Sequence, residues 1–444
     1  MLRGCLLLLA ISMPASPALA ADNSLLGFSS EEAERQHALE TEMVKHISTE
    51  DLRRWIEHLA AEPHHVGSEY GVQNANFIAS LFKEWGYETT IESYEVLVPT
   101  PSVRIVELIE PETYSASLTE RIVEGDASTR MRDAVLPPYN AFSPDGDVSA
   151  ELVYVNYGIK ADYELLERHG IDVVGKIVIA RYGGNFRGYK CKFAEADGAV
   201  GLIIYTDPKD SGWGKGLPYP EGGYANGTYI QRGSILTLDY RGDPLTPGRP
   251  ATEHAERLDP KDVAFPKIPC QPIGWDAAKQ ILGRMKGASV PDDWQGGLPF
   301  RYRLTGGADL KVRVMVKQER KLTRTYNVTG TLKGRLYPDH VMVVGAHHDA
   351  WGFGAGDPTA GTIIVMEAAR CFAEAARNGQ RPARSIVFAA WAAEEYGIMG
   401  STEWVEAHQR DLSQNCIAYL NLDMAAMGPN LRSRIGRASC RERV

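Results

Sequence analysis

The stretch Val341-Met-Val-Val-Gly-Ala-His347-His348-Asp349, followed closely by Gly356-Asp357-Pro358, runs an apolar strand into metal-type side chains. Two later stretches repeat the pattern. One is Ser385-Ile-Val-Phe-Ala-Ala-Trp-Ala-Ala-Glu394-Glu395, the other Ile417-Ala-Tyr-Leu-Asn-Leu-Asp423. In an open α/β sheet, functional groups gather at the carboxyl ends of the strands. The three stretches therefore deliver His347, Asp357, Glu394, Glu395 and Asp423 to one crevice. One imidazole with several carboxylates suits zinc, and two zinc ions can be held if a carboxylate bridges them.

Each residue has a chemical reason to be there. Asp349, two residues after His347, can orient the ring and raise its basicity. His348 points the other way on an extended chain and is read as non-ligating. Asp357 lies in a glycine-rich loop leading into a helix, where it can cap that helix or bridge two metals. Pro358 permits a cis bond there. Adjacent acids after an apolar strand are costly unless paired or metal-bound. One of Glu394 and Glu395 can thus coordinate while the other takes a proton.

Upstream, Ser48-Thr-Glu-Asp-Leu-Arg-Arg-Trp starts like a helix capped by Ser48 or Thr49. A second helix is expected from about Gln73 to Trp85 and a strand from Glu88 to Val98. From Val103 to about Thr323 the style changes. Strands at Glu151–Asn156, Lys176–Ala180 and Gly201–Tyr205 are separated by loops rich in Gly, Pro and Asp, above all between Gly212 and Pro250. Strand character returns at Tyr326–Leu332. The expected fold is an α/β peptidase-type domain with a mixed sheet (residues 21–102 and 324–434), interrupted by a partly β inserted domain (103–323).

The 444 residues suit two or three domains, and 44% hydrophobic with 24% charged residues is an ordinary globular composition. A net charge of -9 argues against a nucleic-acid partner. Arg3, the apolar run Cys5 to Met13 and Ala18-Leu19-Ala20 read as a secretory signal over residues 1–20. The run is too short for a membrane span, so export to a periplasmic or extracellular space is expected. Cys191, Cys270, Cys371 and Cys416 lack C-x-x-C spacing, which argues against a cysteine zinc site. Cys371 and Cys416 are expected to be free.

Taken together, His347-x-Asp349, Gly356-Asp357-Pro358, Trp391-Ala-Ala-Glu394-Glu395-Tyr-Gly-Ile-Met-Gly-Ser-Thr-Glu403-Trp404 and Asn421-Leu-Asp423 resemble the glutamate carboxypeptidase II family. These are di-zinc peptidases related to prostate-specific membrane antigen, in the transferrin-receptor-like superfamily. The likeness extends to Glu62-Pro-His-His-Val-Gly-Ser, Gly175-Lys-Ile-Val-Ile-Ala-Arg-Tyr-Gly, Phe186-Arg187-Gly188 and Gly242-Asp-Pro-Leu-Thr-Pro-Gly. It thus runs in order over nearly all of residues 48 to 430. It implies that the insertion is a protease-associated domain that helps form the substrate pocket. It also implies that Asp357 bridges two zinc ions, that Glu395 is a ligand and Glu394 the general base. His347 and Asp423 bind different zincs or share one. Arg187 matches an arginine that holds the substrate's terminal carboxylate, and Ser234 stands where the pocket has an asparagine. Glu403 and Glu406 match a structural calcium site completed by the carbonyls of Thr246 and Arg249, and hard oxygen donors suit that ion.

The implied function is release of a C-terminal residue, glutamate in the family, from small peptides. The alternatives are an aminopeptidase of the same fold and a non-catalytic binding protein like the transferrin receptor. Every matched ligand up to Asp423 is present, which favours an enzyme. Ser234, and Met-Ala-Ala-Met-Gly after Asp423, depart from the family and weigh against a preference for acidic substrates. All eleven histidines lie at or before His408, whereas the resemblance implies a further zinc histidine downstream and a helical dimerisation domain. Residues 435–444 read as a non-native tail, making Cys440 meaningless. A C-terminally truncated, inactive chain is therefore expected, the full-length protein being a homodimer.

Overall fold

The computed structural model describes residues 25–425. The expected signal segment and the expected tail lie outside them. Helix α1 (Ser30–Lys45) belongs to a separate compact unit ending at Ile47. From Ser48 onward the chain opens with α2 (Thr49–Leu59) and α3 (Glu69–Glu84). Ser48 caps α2 by accepting from the Asp51 N–H. The second helix begins four residues earlier than its apolar pattern predicts, because Ser68 accepts from the Gly71 N–H and caps it there.

Strand β1 (Glu88–Glu110) follows, then the short β2 (Tyr114–Ser115) and β3 (Asn140–Ala141), β4 (Gly146–Tyr154), α4 (Lys160–Arg168) and β5 (Ile177–Arg181). Next come α5 (Arg187–Ala196), β6 (Gly201–Tyr205), α6 (Pro208–Ser211), β7 (Gly233–Ser234), β8 (Cys270–Ile273) and α7 (Trp275–Leu282). The last part holds β9 (Lys311–Leu332), β10 (Tyr337–His347), α8 (Ala360–Arg377), β11 (Arg384–Trp391), α9 (Met399–Ala407), α10 (Gln409–Asn415) and β12 (Cys416–Asn421).

One ten-stranded mixed sheet connects these elements, with the order β12-β10-β11-β9-β4-β5-β6-β8 and β1 on the other side of β9. Strands β1 and β9 are far longer than their apolar runs predict. They pair antiparallel from Glu88↔Thr331 to Glu110↔Lys311. The far side of β9 pairs with β4 near its start and with β11 near its end. Pro99 and Pro101 made β1 look as if it stopped near Val98, yet the ladder continues past them, with a register shift between Pro101 and Val103. The expected boundaries at 102/103 and 323/324 therefore fall inside these two strands.

Apolar packing follows the same division. Trp55, Ile78 and Phe82 pack with Val328, Met366 and Phe388 around the β10–β11 part. Leu152, Ile177, Ile203 and Ile281 pack around the β4–β8 part. Between them Val96, Tyr139, Phe142, Leu236, Ala393 and Tyr396 form a third cluster. Cys191, Cys270, Cys371 and Cys416 are all free thiols. Among the described residues, no helix is long and apolar enough to cross a membrane.

Candidate metal centre

Strand β10 lies between β11 and β12 and is parallel to both, so its carboxyl end and theirs point the same way. His347, the last residue of β10, pairs in register with Trp391. The Glu394–Glu395 turn then follows directly after β11, and Asp423 follows β12. Asp357 reaches the same place from the turn Ala355–Thr359 ahead of α8, through a cis bond to Pro358. A side chain at Gly361, in the first turn of α8, would collide with the Asp423 carbonyl. Only glycine lets β12 end this close to α8.

His347 Nε2 lies 3.2 Å from Asp357 Oδ1 and 3.2 Å from Asp423 Oδ1. Among the described residues, these three form the group whose donor atoms all lie within 4.8 Å of one another. The other ring nitrogen, Nδ1, is 3.0 Å from the Asp349 backbone carbonyl and 3.6 Å from its carboxylate. That contact fixes the ring and leaves Nε2 toward the carboxylates. Donors about 2.0–2.1 Å from a tetrahedral zinc stand about 3.3 Å from each other. One nitrogen and two carboxylate oxygens at 3.2 Å therefore fit zinc in both chemistry and spacing.

Asp349 does more than its spacing suggested. Its carboxylate accepts from the Glu394 N–H at 2.9 Å and the Glu395 N–H at 3.4 Å. It thereby ties the histidine loop to the acidic turn. Ala393 sits at φ 56°, which is uncommon for a residue with a side chain and turns the chain sharply before Glu394. His348 points away, its Nε2 being 3.0 Å from the Tyr326 carbonyl. Glu395 lies outside the tight three-residue group, although its carboxyl is within electrostatic reach of Asp357.

The electrostatics match a site built for positive charge. Burial opposes a charge on His347, but its contacts with Asp349, Asp357 and Asp423 outweigh that and hold its pKa well above the usual range. Burial first, and then Asp349, Asp423 and Asp357 against the opposing His347, bring the Glu394 carboxyl up to about 7. Glu395 is raised well above the usual carboxylate range by burial and then by Asp357.

Arg187 starts α5, and its guanidinium lies where a side chain at Gly233 would otherwise stand. Its Nε is buried without a hydrogen-bond partner. Shielding raises the pKa of the Tyr229 phenol; beyond that, Glu120 and Asp357 push it up while Arg232 and Arg187 push it down. Tyr229 therefore stands within electrostatic range of both Arg187 and Asp357. It also lines a cavity of about 540 Å³ together with Gly352 and Phe353 from the loop between Asp349 and Asp357. Nothing in the sequence singles out Tyr229, one tyrosine among several in a loop. Ser234 spends its hydroxyl proton on the Tyr396 carbonyl and accepts from the Leu236 N–H.

The residues expected to hold calcium lie on α9 and in the loop before Ala251. Glu403 is fully buried, and its two oxygens accept from the N–H groups of Asp243 and Ala251. Burial raises its pKa to about 8. Glu406, on the same face of α9, keeps Oε2 buried without a partner. The Thr246 carbonyl accepts from the Arg249 N–H in the turn beside them.

Residues 327–439 match the family model described as peptidase family M28, and residues 148–238 match that of the PA domain. The PA match lies ahead of the M28 match, within the interruption. The chain is 36% identical over 399 residues to "Aminopeptidase NAALADL1" of Rattus norvegicus, covering 84% of this chain and 52% of the relative. It is 36% identical over 375 residues to "Probable glutamate carboxypeptidase VP8" of Zea mays, covering 83% and 49%. The chain thus spans about half the length of the curated relatives it matches. A solved structure titled as a peptidase M28 precursor from Shewanella amazonensis SB2B superposes with a TM-score of 0.54 at 19% identity, over 87% of this chain and 73% of that one. That likeness concerns the fold.

Proposed function

We propose that this chain, whose residues 327–439 match peptidase family M28 and whose residues 148–238 match the PA domain, acts as a zinc-dependent exopeptidase that removes the C-terminal residue of small peptides. The observation that carries the metal part is His347 Nε2 set 3.2 Å from both Asp357 and Asp423. In this reading His347, Asp357, Asp423 and Glu395 would hold two zinc ions. Zinc, when bound, supplies Lewis acidity to the scissile carbonyl and the attacking water. Glu394 takes the proton of that water and passes it to the leaving amine. Asp349 keeps the histidine ring and the Glu394–Glu395 turn in register, as its contacts with both support.

The preference for a free C-terminus rests on Arg187. A buried guanidinium nitrogen without a partner is costly, and a planar fork of donors suits a carboxylate. The cavity beside Tyr229, Gly352 and Phe353 has room for a substrate residue. Arg187→Ala is expected to raise KM for peptides with a free C-terminal carboxylate by roughly tenfold or more, since a hydrogen bond to a charged group nets about 1.5–3 kcal/mol. Peptides ending in an amide should be far less affected. An equal rise on both would remove the carboxylate role. The name of the rat relative keeps a second reading open, an aminopeptidase. Peptides blocked at one end decide between them: release of the last residue from an N-blocked peptide supports the first, and release of the first residue from a C-blocked peptide the second.

For calcium, Glu406 Oε2 supplies an unpartnered buried oxygen, and Glu403 a buried carboxylate beside it. With the carbonyls of Thr246 and Arg249 these are hard donors of the kind calcium takes. Added Ca²⁺ is expected to raise the melting temperature, and Glu406→Gln to remove the rise. A rise that survives in the variant would place calcium elsewhere.

A further inference from the structure

Arg187 is delivered to its place by the loop Gly183-Gly184-Asn185-Phe186 between β5 and α5. Both glycines have positive φ, 100° and 76°, and Gly184 packs so closely on Tyr157 that an added side chain would overlap it. Such a loop has little intrinsic preference for one shape. One side chain holds it. Lys190, one turn beyond Arg187 on α5, is fully buried. Its ammonium donates to the Gly183 carbonyl at 2.6 Å, to Asn185 Oδ1 at 2.8 Å and to the Tyr157 carbonyl at 2.5 Å. Two of these acceptors lie in the loop, and the third lies on the segment the loop packs against.

A buried ammonium is expensive, and among the described residues this one has no ion-pair partner within bonding distance. The acid acting most strongly on it, Asp162, is already held by Asn156 and by the N–H groups of Tyr157 and Ile159. Packing alone would be served as well by methionine. A charge kept here, with all three donors satisfied by oxygens, makes sense if the loop must be locked in one geometry.

We propose that Lys190 is a positioning residue: it clamps the 183–186 loop to Tyr157 and so fixes Arg187 in the orientation that receives the substrate's carboxylate. This rests on the reading of Arg187 given above. Lys190 does not touch substrate; it acts through Arg187.

The test uses the zinc-loaded full-length enzyme and a matched pair of peptides, one ending in a free acid and one in an amide. Lys190→Met should raise KM for the acid by roughly tenfold with little change in kcat, and leave the amide nearly unmoved. Combined with Arg187→Ala it should add nothing, because the two variants remove one interaction. Hydrogen exchange at residues 183–187 should quicken in Lys190→Met but not in Arg187→Ala. If Lys190→Met folds poorly, Asn185→Ala removes one acceptor without burying a new group and should shift KM in the same direction. Equal effects on acid and amide, additive effects in the double variant, or unchanged exchange in the loop would each overturn the proposal. If instead Arg187→Ala fails to separate acid from amide, the carboxylate reading falls. In that case quickened exchange in Lys190→Met still supports the clamp, and unchanged exchange ends it.

Discussion

Glu394→Gln, made in a full-length protein, is expected to bind zinc as the parent does and to lose roughly 10²–10⁴-fold in kcat, the usual worth of a general base. The substitution keeps size and shape and removes only the capacity to take a proton. The backbone there should hold, because the Glu394 N–H is anchored on Asp349 at 2.9 Å. In the metal-free site, burial and the neighbouring acids bring the Glu394 carboxyl to about 7. Metal analysis and steady-state kinetics on the same preparation check this. Full turnover with normal zinc would mean that another group takes the proton. Loss of zinc would mean that Glu394 is a ligand and that its role has been confused with that of Glu395.

Asp357→Ala is expected to strip metal from the site. Asp357 supplies one of the two oxygens beside His347 Nε2 and, in the di-zinc reading, the oxygen set shared between the ions. Residues that merely support a ligand are worth roughly 10–100-fold in metal affinity, and a bridging ligand should exceed that. Zinc per chain and peptidase activity should fall together, while the melting temperature of metal-free protein stays near the parent's because Asp357 is half-exposed. Normal zinc content in the variant would remove Asp357 from the ligand set.

What the sequence made legible was local and repetitive. An apolar strand ending in His or acid, three times over, points His347, the Glu394–Glu395 pair and Asp423 to one place, because parallel neighbours share a carboxyl end; the structure sets His347 and Asp423 beside each other, with Asp357 arriving from the turn ahead of α8. The cap at Ser48 was readable because its hydrogen bond spans only three residues. Long-range pairing was not readable. Nothing near Pro99 announces a partner more than 200 residues away, so β1 and β9 were cut short. Lys190 was equally hidden. It and Lys192 look alike in the sequence, and only the fold buries one and leaves the other in solvent. The second contact of Asp349, to the turn at Glu394 and Glu395, likewise required the sheet to bring the two loops together.

The paired β1 and β9 strands have one more consequence. The metal cluster hangs from β10 and β11, attached at one end of β9, and Arg187 hangs from β5 through β4, attached at the other. Between the attachments the ladder runs on with β1 alongside, apart from bulges. Each ladder bond nets about 1 kcal/mol, so swinging one half against the other would cost several at once. Under the proposed function, the span from the Arg187 guanidinium to the His347 site is then a ruler of set length, matched to the distance from a terminal carboxylate to the first peptide carbonyl. Substrates offering a longer interval, as in removal of two residues together, would be turned away for lack of fit rather than met by closure.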